Sequence, residues 1–209
     1  MPDKHAILSA SSSHRWLECP PSALLCSTVG DTPSEFAMQG TDAHSLCEHK
    51  LKTALGQQSK DPTENLSFFD EEMADCSDMY AQYVMEQLAA AKEKCKDPIV
   101  LIEQRLDFSK WVPQGFGTGD CVIVADETLT VIDFKYGVGI LVEAEKNPQM
   151  MCYALGALQL FDSIYDIDSV TMTIFQPRRD NVSTYTISKE ELLLSLIHIS
   201  EPTRLQLIS

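Results

Sequence analysis

The sequence predicts a sheet domain of the α/β or α+β class, with strands flanked by helices. Three observations predict it. Gly117 to Lys135, GTGDCVIVADETLTVIDFK, reads as two short strands around a break at Ala125-Asp126-Glu127-Thr128. Two long stretches with helical spacing precede it and a third follows it. A hydrophobic fraction of 44% over 209 residues supplies a core, which excludes a disordered chain.

The elements follow in chain order. In SASSSHRWLECPPSALLC, from Ser9 to Cys26, the serines can cap a short helix whose apolar side carries Trp16 and Leu17. Pro20-Pro21 stops it. Trp16 is expected as a core anchor. Residues 27–35 read as a Gly/Asp/Pro loop. Phe36 to Leu55 predicts a helix ended by Gly56, with Ala43, Leu46, Cys47, Leu51, Ala54 and Leu55 as its apolar stripe. His44 and Glu48, at i and i+4, share a face beside that stripe. Residues 57–69 read as a polar loop.

Asp70 to Lys96 is the longest helical pattern, with Met73, Cys76, Tyr80, Tyr83, Val84, Leu88 and Ala91 on one face. Its acidic start and lysine-rich end suit the helix dipole. Asp97-Pro98 breaks it. Ile99 to Phe108 is a strand with Glu103 inside an apolar run, and Val112 to Gly119 is a turn. After the hairpin, Tyr136 to Gly139 forms a loop and Pro148 opens a helix, PQMMCYALGALQLF, in which Gln149 and Tyr153 face the same way. Val170 to Phe175 is a further strand, ending in the small basic tip Gln176 to Arg179.

Within the hairpin, Asp120, Asp133 and Lys135 interrupt the apolar background. Asp133 and Lys135 are two apart on one strand and share a face. Asp120, read as near the start of the first strand, is brought beside the end of the second. Two carboxylates and an ammonium there can hold a divalent cation and position a water against a phosphodiester. A polar hairpin with a surface ion pair is the plain structural alternative.

Charge and cysteines bound the function. Thirty-one acidic against 16 basic residues give a formal charge of -15, which argues against a broad basic surface for nucleic acid. It leaves room for a narrow groove where metal ions and a few cations make the contact. Seven scattered cysteines without a CxxC pair indicate a reducing compartment and free thiols. No run of about 18 apolar residues predicts a membrane span, and the N-terminus lacks a signal-peptide segment. A cytoplasmic location is the expectation.

These motifs resemble the PD-(D/E)XK nucleases of the RecB-like branch, which includes phage recombination exonucleases. Gly40-Thr41-Ala43-His44 with Glu48 resembles the family's GTxxH…E helix, Gly119-Asp120 its G-D motif, Asp133-Phe134-Lys135 its (D/E)xK, and Gln149 to Tyr153 its QxxxY helix. WLECP resembles the segment ahead of the core, and the wider N-terminal stretch resembles a phage-encoded group of unassigned role. The resemblance spans residues 9 to about 180 and departs from the family in its acidic charge and its C-terminus.

The resemblance implies a restriction-endonuclease-like core, a central mixed β-sheet flanked by helices, over residues 36–193, behind an N-terminal segment, 1–35, with a short helix. It implies a metal-dependent deoxyribonuclease, an exonuclease of phage or mobile-element recombination or replication, with DNA and phage recombination or replication proteins as partners. Asp120, Asp133, His44 and the backbone carbonyl of Phe134 would bind Mg²⁺ or Mn²⁺, the imidazole favouring Mn²⁺. Lys135 would orient or deprotonate the attacking water and stabilise charge on the phosphate. Gln149 and Tyr153 would hold the DNA backbone or brace the site. Glu48 and Glu103 would support it from outside or balance charge. Cys19 stands where some relatives place an iron–sulfur ligand, but no cysteine follows Cys152, so a cluster is unsupported. The alternative is a nucleic-acid-binding or assembly module that keeps the scaffold without turnover. Residues 194–209, LIHISEPTRLQLIS preceded by LS, resemble translated adapter read-through and are expected to be a non-native tail, with the natural chain continuing past Leu193.

Overall fold

The computed structural model describes residues 6–28 and 33–195. The expected non-native tail falls, from residue 196 on, outside the described residues. A five-stranded mixed sheet forms the centre, in the order β1 (Ile99–Asp107), β2 (Phe116–Ala125), β3 (Thr128–Phe134), β4 (Ser169–Gln176) and β5 (Asn181–Ser188). β3 and β4 run parallel and every other neighbouring pair is antiparallel. A parallel pair needs a crossover, and α5 (Pro148–Phe161) supplies it.

Each face of the sheet is covered. On one, α3 (Glu35–Ala54) and α4 (Glu71–Lys94) lay Leu46, Leu51, Met73, Tyr80 and Val84 on Cys121, Ile123, Ile132 and Phe134. Asp70 caps α4 by accepting the Met73 N–H at 2.7 Å, and Glu71, Glu72, Lys92 and Lys94 complement its dipole. On the other face, α5 packs Met150, Ala154, Leu155 and Leu158 into a core with Val122, Val124, Leu129 and Val131. This alternation along β2 and β3 is the period-2 pattern of a sheet buried on both sides.

The N-terminal segment joins the second core. Leu8, Ala10, Trp16 and Ala23 are buried there, and the Trp16 indole N–H donates to the Ser9 carbonyl at 2.8 Å. Where one short helix was expected, two stand: α1 (Ser13–Glu18) and α2 (Pro21–Thr28). The proline pair that ends α1 also opens α2, because Pro at the first helical position gives up only an N–H that has no intrahelical partner. Of the expected loop 27–35, Ser27 and Thr28 belong to α2 and Glu35 to α3, and residues 29–32 lie outside the described residues.

Two further departures concern strands. β2 starts at Phe116, inside what reads as a turn, so Asp120 lies in mid-strand. β5 escaped the sequence reading. Its NVSTYTIS alternates weakly and much of it is exposed, as suits an edge strand held by pairing to β4. Residues 189–195 are helical and bury Leu192.

Candidate active site at the fork of the sheet

The sheet forks in its middle. β2 and β3 pair from Ala125↔Thr128 up to Cys121↔Ile132 and no further. Beyond that point β2 continues paired with β1 as far as Phe116↔Asp107, while β3 continues paired with β4 through Phe134↔Phe175. The register carried one step on puts Asp120 opposite Asp133, and opposite residues share a face. The two-residue turn at Asp126-Glu127 sets that register.

Forking strands leave backbone groups without ladder partners, and buried ones must be satisfied. The Phe134 N–H donates to Asp120 Oδ2 at 2.7 Å instead. In extended backbone the N–H and C=O of one residue point to the same side, so the Phe134 carbonyl is on the fork side as well. Asp120 and Asp133 are both buried, at 8% and 2% exposure.

Asp120 is also gripped from α3. His44 Nδ1 lies 3.1 Å from Asp120 Oδ1, and the imidazole stands edge-on to the Phe134 ring at 5.5 Å. Glu103 completes the cluster: one donor atom each from His44, Glu103 and Asp120 lie within 4.8 Å of one another. That separation is close to twice a metal–ligand distance of about 2.0 to 2.4 Å. Glu103 faces Asp120 across the β1–β2 ladder, between Ile102↔Cys121 and Gln104↔Gly119, and its φ of 50° is left-handed. A non-glycine residue held there costs on the order of 1–2 kcal/mol, which marks the position as one where the fold overrides local preference.

The second charge system is built from β3 and α5. Lys135 Nζ sits 2.9 Å from Asp133 Oδ2 and donates to Gln149 Oε1 at 3.0 Å. Gln149 Nε2 donates to Asp133 Oδ1 and to the Tyr153 hydroxyl, both at 3.1 Å. α5 is pinned at this end by its cap. The Asn147 side chain accepts from the N–H groups of Gln149 and Met150 at 3.0 and 3.3 Å, so an asparagine N-cap stands directly before the Pro148 that opens the helix. Tyr153 rests on the bare backbone of Gly117, where an added Cβ would come 2.7 Å from the ring.

The electrostatics follow from crowding three carboxyls with two cations. Burial would lower the His44 pKa, but the Asp120 charge and hydrogen bond outweigh it, helped by Asp133 and Glu103, and push it up to about 9. Burial would raise Asp120, but His44, the Phe134 N–H and Lys135 hold it below the ordinary carboxylate value. Burial, then the Asp120 charge, push Glu103 up to about 7. Burial raises Asp133, which Lys135 offsets only in part. Lys135 is itself raised: burial works against its charge and the Asp133 carboxylate outweighs it. Glu103 and Asp133 are thus raised chiefly by burial, and the carboxylates and imidazole of His44, Glu103 and Asp120 are donor types that a divalent cation accepts.

The fork thus gathers His44, Asp120, Asp133, Phe134, Lys135, Gln149 and Tyr153, all named by the sequence. It differs for the two glutamates. Glu103 stands in the cluster with His44 and Asp120, while Glu48 is ion-paired to Lys52 one helical turn on along α3. Asp133 lies outside the group of three close donor atoms and bonds Lys135 and Gln149. Cys19 is exposed in the link between α1 and α2, and among the described residues no cysteine group forms a metal site. No helix among the described residues is long and apolar enough to cross a membrane.

A family model described as "Protein of unknown function (DUF2800)" matches residues 5–203. Among solved structures, the chain is similar to one titled "Crystal structure of SSO0001", at 12% identity over 77% of this chain and 85% of that one, with a TM-score of 0.25. A superposition that loose bears on neither fold nor chemistry.

Proposed function

This chain belongs to the DUF2800 family, and from the site it carries we propose that it is a metal-dependent nuclease hydrolysing phosphodiester bonds in DNA. One observation carries the reading: the fork sets a His44–Glu103–Asp120 donor cluster beside a buried Asp133–Lys135–Gln149 system. The order of the GTxxH…E, G-D, DFK and QxxxY pieces supports a place among the PD-(D/E)XK nucleases, and with it an exonuclease role in phage or mobile-element recombination or replication.

His44, Glu103 and Asp120 would hold Mg²⁺ or Mn²⁺, with the Phe134 carbonyl and Asp133 at the edge of the site. Carboxylate and carbonyl oxygens suit either ion, and the imidazole favours Mn²⁺. When bound, such an ion polarises a phosphate oxygen and acidifies water. The protein's own groups do the rest. Lys135 stays an ammonium, because Asp133 lies 2.9 Å away, and offers its charge where negative charge grows on the phosphate. Gln149 binds both members of that pair and so fixes the direction in which Lys135 points. Tyr153 braces Gln149 from one turn further along α5.

The test is cleavage of end-labelled linear and circular DNA, and of RNA of the same sequence, with Mn²⁺, Mg²⁺ or a chelator. Metal-dependent loss of linear DNA, sparing circles, is expected. DNA that is bound but never cut with either ion would overturn the reading in favour of a non-catalytic binding module.

A further inference from the structure

The fork commits its own cations internally. His44 is paired with Asp120, Lys135 with Asp133 and Lys52 with Glu48. DNA carries a negative charge at every phosphate, and Lys and Arg side chains supply most of the contacts to it. A strand held at the fork therefore needs a cation that the protein has not already neutralised. Arg105 is one. It is exposed on β1, and among the described residues it forms no ion pair and its guanidinium donates no hydrogen bond. Asp107, two residues on, accepts the Ser109 N–H at 2.8 Å instead. The Arg105 guanidinium lies 3.7 Å from the centroid of the Phe116 ring. Stacking on a ring face fixes a guanidinium and leaves its edge N–H groups open to an oxyanion.

The register sets this group beside the donor cluster. Arg105 is opposite Thr118, two residues from Asp120, or about 7 Å along β2. Leu106 and Gly117, opposite one another, face the α5 core: Leu106 is buried there, and a Cβ on Gly117 would meet the Tyr153 ring. Side chains alternate along a strand, so Arg105 and Phe116 face the other way, the side that α3 covers and from which His44 reaches Asp120. Glu103, the third member of the cluster, lies two residues back along β1. Thr118, exposed across from Arg105, adds a hydroxyl.

We propose that Arg105, stacked on Phe116 beside the His44–Glu103–Asp120 cluster, binds a phosphate of the DNA strand next to the one that is cut. This rests on the nuclease reading and adds how the substrate is held. The contact is to the backbone, so it fixes where the strand lies without reading its sequence. The planar guanidinium can meet two phosphate oxygens at once, which a lysine ammonium cannot do in the same fixed geometry. In a chain of net charge -15, one unneutralised and stacked guanidinium gives a narrow contact at the fork rather than a broad basic surface.

The experiment is single-turnover cleavage of an end-labelled single strand with Mn²⁺, over a range of protein and of salt concentrations, for wild type, Arg105→Gln and Arg105→Lys. Arg105→Gln should raise the half-saturating protein concentration about tenfold, the order of one hydrogen-bonded charge. Its dependence on salt should be shallower by about 0.7 in log–log slope, the amount for one phosphate of a single strand. Mn²⁺ affinity should not fall, since the change removes a positive charge. Arg105→Lys keeps a charge without the flat stacked fork, and should restore the slope but only part of the affinity. Wild type that cleaves DNA beside an Arg105→Gln of equal half-saturation and equal slope overturns this inference and leaves the nuclease reading standing. So does a variant slowed at saturation with both of those unmoved. Wild type that binds the strand and never cuts it ends the nuclease reading, and the same salt slopes, taken from fluorescence anisotropy, then decide whether Arg105 holds a phosphate. Wild type that neither binds nor cleaves DNA overturns both.

Discussion

Asp120 accepts the backbone N–H of Phe134 at 2.7 Å, across the point where β2 and β3 part. One carboxylate thus closes a gap in the sheet and pairs with His44, and in the proposed function it would also hold the cation. Structure and chemistry are tied together at this residue, and its variants should separate the two.

Asp120→Asn keeps an acceptor for the Phe134 N–H but loses the charge. It should abolish cleavage through lost metal affinity, and it should lower stability only by the loss of the His44 ion pair. Asp120→Ala leaves that buried N–H unpaired and should cost a further 1–3 kcal/mol or about that. Denaturant unfolding of both variants, beside Mn²⁺ titration, checks the difference.

Lys135→Ala should lower the single-turnover cleavage rate by about 10² to 10³, the range for removing one group that meets developing charge. DNA affinity at one fixed salt concentration should fall much less. A variant that loses affinity and keeps its rate per bound complex would make Lys135 a phosphate anchor.

Metal binding should release protons and strengthen with pH. A ligating imidazole must be neutral, and His44 without metal is held at about 9. Glu103, at about 7, must also be ionised. Affinity for Mn²⁺ should therefore rise from pH 6 toward pH 9. Calorimetry in two buffers of different ionisation enthalpy would report the proton released at neutral pH, and His44→Gln should release less.

Stability without metal should run the other way. Both groups have folded values above their ordinary ones of 6.5 and 4.5, so the folded state binds more protons than the unfolded one. The His44 contribution is complete below about 6.5 and is lost as pH rises through about 9. That of Glu103 is lost from about 4.5 to about 7. The metal-free thermal midpoint should fall between pH 5 and pH 9, and saturating Mn²⁺ should flatten or reverse the trend.

Gly117→Ala should disturb the site from outside it. The new Cβ would come within 2.7 Å of the Tyr153 ring and 3.1 Å of Ala10 Cβ, in a packed region. Overpacking of this kind costs about 1–3 kcal/mol, or roughly 2–4 °C of thermal midpoint per kcal/mol in a chain this size. The displaced Tyr153 should also loosen Gln149 and lower the cleavage rate.

By itself the sequence determined whatever short-range geometry controls. The turn at Asp126-Glu127 sets the β2–β3 register and so places Asp120 against Asp133. Strand alternation puts Lys135 beside Asp133, and helical spacing puts Tyr153 under Gln149. Only the tertiary structure decided the rest. Glu103 joins His44 and Asp120 because β1 pairs with β2 across a separate turn while α3 packs from elsewhere in the chain. The fork exists because β3 takes β4 as a parallel neighbour through a crossover helix, and β5 exists because β4 has an open edge. Such contacts join segments far apart in the chain. Each is selected by the burial of whole faces rather than by any local preference, so no window of the sequence contains them.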